Sequence, residues 1–126
     1  MEKAASVVAI ERSLDDMLAV SDIEYRKVEM PEWKGTIYLG SVSAADIIEW
    51  QESSDGDAKR TAGVRLLVKS LVNREAYEGL DGAARIGTDK HIAAFKSKSH
   101  KAIDRLVREI LDLNGMKVKD NAAKND

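Results

Sequence analysis

The strongest signal along the chain is a helical stripe that occurs twice. Val64, Leu67, Val68, Leu71 and Val72 fall at i, i+3, i+4, i+7 and i+8, and Ile103, Leu106, Val107, Ile110 and Leu111 repeat that template. Apolar residues at this spacing line one face of an α-helix, and that face must be buried. The first stripe predicts a central core helix over residues 59–73, ended by Asn73-Arg74, with Gly63 a weak point near its start. The second predicts a closing helix over 100–114, capped by Ser99. Asn114-Gly115 stops it, and Gly115 at C′ with Met116 over Leu111 fits a Schellman ending. Two helices with matching stripes pack most simply on each other. That predicts one core of Leu67, Val68, Leu71, Ile103, Leu106, Val107 and Ile110, with Ile37 and Leu39 above it.

A second period, of two, appears earlier. Val28 and Met30 alternate with Lys27 and Glu29, and Ile37 alternates with Thr36 and Tyr38 towards Leu39. This is the signature of half-buried strands. Between them, Pro31 favours a turn corner and Gly35 supplies a positive φ at low cost, which predicts a hairpin over 25–40 with a loop of about five residues. The next helix, 44–52, has Ser43 as N-cap, Asp46 at N3, and Val42 and Ile47 at the spacing of a hydrophobic staple. A lone hairpin is marginal in water, so it must lie on the helices. The expected fold class is mainly α with a small N-terminal β-hairpin (α+β), the hairpin packed on a small helical bundle.

The remaining stretches are weaker. In the segment 1–24, Ser13 with Asp16 at N3 caps a short helix from Leu14 to Val20, with Leu14, Met17 and Leu18 on one face. Residues 1–10 fray or dock on a partner. Ser53 to Asp57 is a turn cluster; its Asp and Gly suggest a calcium loop, but no acid closes it. Residues 74–88 hold Gly79, Gly82 and Gly87 and read as a connection. Thr88 or Asp89 caps a short helix over 89–96 carrying Ile92, Ala93 and Phe95. Residues 117–126 are too polar to order themselves. The folded unit is a single domain over 25–116.

Composition narrows the function classes. The 126 residues contain no Cys, so disulfides, thiol catalysis and Cys-based metal sites are excluded. Twenty basic and 22 acidic residues balance to a net charge of −2, which gives no global nucleic-acid footprint. No apolar run is long enough to span a membrane. His91 and His100 lack metal-ligand spacing, and no Gly-x-Ser-x-Gly elbow or phosphate-binding Gly-Lys-Ser loop occurs. Most of the carboxylates sit on polar faces or at helix starts. No catalysis, metal or cofactor is expected. Lys96, Lys98, His100, Lys101, Arg105 and Arg108 form a local basic cluster, but Asp104, Glu109 and Asp112 interleave with it, as on a solvated helix face. Trp33, Tyr38 and Trp50 all belong to the hairpin–helix unit. They are the candidate partner-binding residues, with Trp33 either a contact at the loop tip or a plug beneath the hairpin.

The run Pro31-Glu32-Trp33-Lys34-Gly35 between two strands, followed by Ser43-Ala44-Ala45-Asp46, resembles the tail assembly chaperones of long-tailed (siphovirus-type) bacteriophages or prophages. The end of the chain is similar to that family too: a start at Thr88-Asp89, a short helix, then Ser99 to Leu113 with Asn114-Gly115-Met116. The resemblance covers roughly residues 14–116 and departs between Asn73 and Gly87, where this chain has a Gly- and Ala-rich insertion. It implies a non-enzymatic protein that coats the long helical tape measure protein in the cytoplasm of the bacterial host. It further implies recruitment of the major tail protein, self-association, and absence from the mature virion. Such families also make a longer product by programmed frameshift, and the codons of Ala123, Lys124 and Asn125 can form a slippery heptamer. The residues themselves leave two alternatives open: a small nucleic-acid-binding regulator, and a minor structural tail protein that stays in the particle.

Overall fold

The computed structural model describes residues 13–116, and the expectations placed on residues 1–12 and 117–126 lie outside them. Within those bounds the chain runs α1 (Leu14–Leu18), β1 (Tyr25–Met30), a 3-10 turn (Pro31–Trp33), β2 (Gly35–Gly40), α2 (Ala44–Glu52), α3 (Asp57–Ser70), β3 (Leu71–Val72), α4 (Arg74–Glu78), α5 (Asp89–Lys96) and α6 (His100–Leu113). The class is α+β: helices packed beneath a small antiparallel sheet.

The sheet has three strands in the order β1-β2-β3, so the expected two-stranded hairpin is extended at one edge. Tyr25 faces Gly40 and Met30 faces Gly35 across the first pair, and Leu71 and Val72 face Leu39 and Tyr38 across the second. This corrects the reading of Leu71 and Val72 as the last turn of the central helix. The helix stops at Ser70, whose Oγ donates to the Leu66 carbonyl 2.9 Å away, and Leu71 turns extended at φ −65°, ψ 128°. The β-branched, apolar Val72 gains more on the sheet edge than in another helical turn.

The hairpin connection also differs. Pro31–Trp33 forms a single 3-10 turn, and Lys34, not Gly35, takes the left-handed conformation at φ 57°. Gly35 is already the first residue of β2. Lys34 N–H donates to the Pro31 carbonyl at 3.0 Å, so the connection has four residues, one fewer than expected. Pro31 opens the turn at its first position, where its missing N–H costs nothing.

Caps hold the helices where the sequence places them. Ser43 Oγ accepts from Asp46 N–H at 3.2 Å, and Ser99 Oγ accepts from Ala102 N–H at 3.3 Å. Ser13 Oγ accepts from Asp16 N–H at 3.1 Å. At the end of α6, Gly115 sits at φ 82° and donates to Asp112, while Met116 N–H donates to Leu111 at 2.8 Å. That pair of bonds is the Schellman pattern.

The connection 74–88 is more ordered than glycine density suggests. Asn73 does not merely end a helix. Its Oδ1 accepts from Ala76 and Ala84 N–H, at 3.0 and 3.2 Å, and its Nδ2 donates to the Gly82 carbonyl at 2.8 Å. It therefore caps α4 and ties the loop beyond it. Ile86 N–H donates to the Leu71 carbonyl, and Arg85 bridges Val72, so the segment runs along the free side of β3.

The core is built from Val28, Met30 and Leu39 of the sheet, Leu66, Leu67 and Leu71 of the α3–β3 segment, and Ala102, Leu106, Ile110, Leu111 and Leu113 of α6. Ile37, Ile103 and Val107 pack on it half-buried. Leu66, off the predicted stripe, is as enclosed as Leu67. The central helix is covered by α2, α5 and α6, which leaves a narrow solvent stripe along Ala58, Arg65 and Lys69.

Candidate interaction surface

The three aromatic candidates are dispersed over the fold. Trp33 is half-buried against the core, with its ring 5.9 Å from that of Phe95 and with Lys98 Nζ 5.5 Å above it. It seats the hairpin turn on α5. Tyr38, on β2, packs on Tyr77 of α4 at 5.4 Å and fixes the connection to the sheet. Trp50, near the end of α2, carries Lys59 Nζ 4.2 Å over its ring, and the same ammonium donates to the Trp50 carbonyl at 2.6 Å.

Of the three, Trp50 lines a cleft. A groove of about 770 Å³ opens between α2, α3, α5 and α6. Its floor is apolar: Trp50, Val64, Phe95, Ile103 and Val107, with Gly63 giving room for the Val107 methyls 3.4 and 3.8 Å from its β position. Its rim is basic, with Lys59, Arg60, Lys96, Lys98 and His100. The two acids at the rim are engaged: Asp57 pairs with Arg60 at 3.1 Å and Asp104 with Arg108 at 3.0 Å. A groove of this size with an apolar floor suits an apolar segment carrying acidic neighbours. Phe95, the single Phe of the chain, and Lys59 and Arg60 are contributors the sequence did not flag. They lie on two different helices, and only the tertiary fold brings them to one cleft.

Arg105 of the basic cluster, like Arg26 and Lys69 outside it, is held by partners within the molecule. Arg105 pairs with Glu32 at 3.2 Å and also donates to the Glu29 carbonyl, clamping α6 to the hairpin. Arg26 of β1 reaches Asp112 at 2.8 Å and Glu109 at 3.0 Å on the same helix. Burial works against the Arg26 charge, yet the hydrogen bonds it donates to Asp112 and Glu109 outweigh it and raise its pKa further. Lys69 of α3 holds Asp46 at 3.0 Å and Glu49 at 3.5 Å on α2. Burial tends to raise the Asp46 carboxyl, but hydrogen bonds from Lys69 and Ser43 leave it below the ordinary carboxylate value. His91 accepts from Thr88 N–H through Nδ1 at 3.0 Å, so it closes the start of α5. Among the described residues no three His, Cys, Asp or Glu side chains gather as a metal site, and no helix is long and apolar enough to cross a membrane.

No protein-family model matches this sequence, and no curated protein matches it. Comparison with solved structures gives a likeness of fold. The chain is similar in fold to the structure of the bacteriophage HK97 tail assembly chaperone. The match has a TM-score of 0.56, covers 95% of this chain and 100% of that one, and stands at 18% identity.

Proposed function

We propose that this protein is a non-enzymatic tail assembly chaperone of a long-tailed phage or prophage. In this reading it binds the tape measure protein, keeps that long helical rod soluble in the host cytoplasm, and recruits the major tail protein. It then leaves before the particle is complete. The observation that supports it best is the full-length likeness of fold to the HK97 chaperone, met independently by the ordered turn, cap and closing-helix motifs. The surface suits such a role, because a charged module with an apolar, basic-rimmed groove offers cover to apolar helical segments. Coats of this kind work by repetition, so self-association belongs to the reading, as does a longer frameshifted product.

Co-expression with the tape measure protein encoded beside it tests the proposal. The soluble yield of that protein should rise, and an unchanged yield removes the chaperone role. Mass spectrometry of purified particles distinguishes a chaperone, which is missing, from a minor structural protein, which is present.

A further inference from the structure

We propose that the groove between α2, α3, α5 and α6 is the seat of the N-terminal segment Leu14–Ile23 of a second copy of this chain. The inference rests on the reading of the protein as a self-associating coat, and it identifies the interface.

The segment has the chemistry of a ligand. Leu14, Met17, Leu18, Val20 and Ile23 are exposed by 64, 48, 73, 51 and 38%. No residue of α1 is buried. Exposed apolar residues this concentrated mark a contact surface. The charges beside them are all acidic: Asp15, Asp16, Asp22 and Glu24, with no Lys or Arg between Ser13 and Glu24. The groove has the complementary chemistry. Its apolar floor includes Trp50 and Phe95, and Lys96 and Lys98 stand exposed on its rim while the rim acids are already paired.

The geometry favours a neighbour over the chain's own groove. None of residues 13–24 lines the groove in this structure. The link from α1 to β1 is residues 19–24, which reach ~20 Å when extended. That length lets α1 cross to an adjacent molecule while β1 stays in its own sheet. The contact pairs two different surfaces, so each copy offers one arm and one groove. Such a heterologous contact propagates into an open filament or closes into a ring. It also places charge opposite charge, which fixes the orientation of docking.

Sedimentation of the full chain over a concentration series tests this. The wild type should associate as concentration rises. Leu14→Asp with Leu18→Asp, Asp15→Lys with Asp16→Lys, and Lys96→Glu with Lys98→Glu should each weaken association by about tenfold or more. All six positions are exposed, so circular dichroism should show the fold retained. A mixture of the Asp15→Lys, Asp16→Lys protein with the Lys96→Glu, Lys98→Glu protein should associate where each alone does not. That rescue separates a charge-paired interface from a merely unwound α1. A wild type that stays monomeric, association indifferent to all three pairs, or a mixture without rescue overturns the proposal. An associating chain that ignores these substitutions leaves the chaperone reading standing, and a failed co-expression strikes that reading alone.

Discussion

A β-carbon at Gly87 would overlap the carbonyl oxygen of Val68, so the loop leading into α5 passes the central helix at a distance only glycine permits. The obstacle is backbone, which cannot swing aside as a side chain can. Gly87→Ala should therefore destabilise the fold by ~1–3 kcal/mol, as overpacking does. Gly56, at φ 81°, ψ −137° with nothing within 4 Å of its β position, is the comparison: Ala there meets no atom, and its cost of ~1–3 kcal/mol comes from a backbone region open essentially to Gly alone. Urea denaturation of both variants checks this. A Gly87→Ala protein as stable as wild type would mean that the loop does not pack on α3.

Asp46 and Lys69 join α2 to α3, and their link is pH-dependent. The folded Asp46 carboxyl lies below its ordinary value of 3.8, so the unfolded chain takes up a proton first as pH falls. The stability it contributes is complete above 3.8 and is lost as pH drops through the lower folded value. Asp46→Asn should thus be less stable than wild type at neutral pH, and the gap should close below that window. Thermal midpoints of both proteins between neutral and strongly acidic pH measure it. A gap that does not change with pH would assign the effect of Asn to packing.

Much of this fold was legible because caps and periods are local. Ser43, Ser99 and Gly115 act within a turn of their own helix, so the sequence around each is sufficient to read it. Leu71 shows where such reading stops. It continues a perfect helical stripe, yet it pairs with Leu39, more than thirty positions earlier. The position of the positive φ was missed for a related reason, since Lys34 is held left-handed by the Pro31–Trp33 turn in place of the glycine beside it. Of the three aromatic candidates, only Trp50 lines the groove. The groove itself joins Trp50, Phe95 and Val107 from three helices, and no spacing in one segment encodes that meeting.

The core makes a sharper claim than the stripe does. Leu67 and Leu106 are fully enclosed, and each Ala substitution should cost ~2–5 kcal/mol. Leu66 lies off the stripe but is 2% exposed. Leu66→Ala should cost as much as Leu67→Ala. Equilibrium unfolding of the three variants decides the matter, and a Leu66→Ala protein within measurement error of wild type would place that side chain at the surface.

Arg85 is the clasp of the 74–88 connection. Its Nη2 donates to the Ser41 carbonyl at 2.6 Å, and its Nη1 donates to Lys69 and Gly40 carbonyls at 3.1 and 3.3 Å. One planar group thereby joins the end of β2, the end of α3 and the returning loop. The Lys69 carbonyl lies in the last turn of α3, where cations are favoured and carbonyls lack partners within the helix. Arg85→Ala should cost ~1–3 kcal/mol, the scale of hydrogen bonds made by a charged group. Arg85→Lys should not restore it, because an ammonium is a point donor and cannot span three carbonyls held by a fork. The loss should be local first. Hydrogen exchange should quicken at the amides of Asn73 and Ile86, which bond to Ala84 and Leu71 across the loop, while amides in the middle of α6 keep their protection. Uniform loss of protection would show that the clasp holds the whole domain, and unchanged protection at Asn73 and Ile86 would show that the loop stays in place without it.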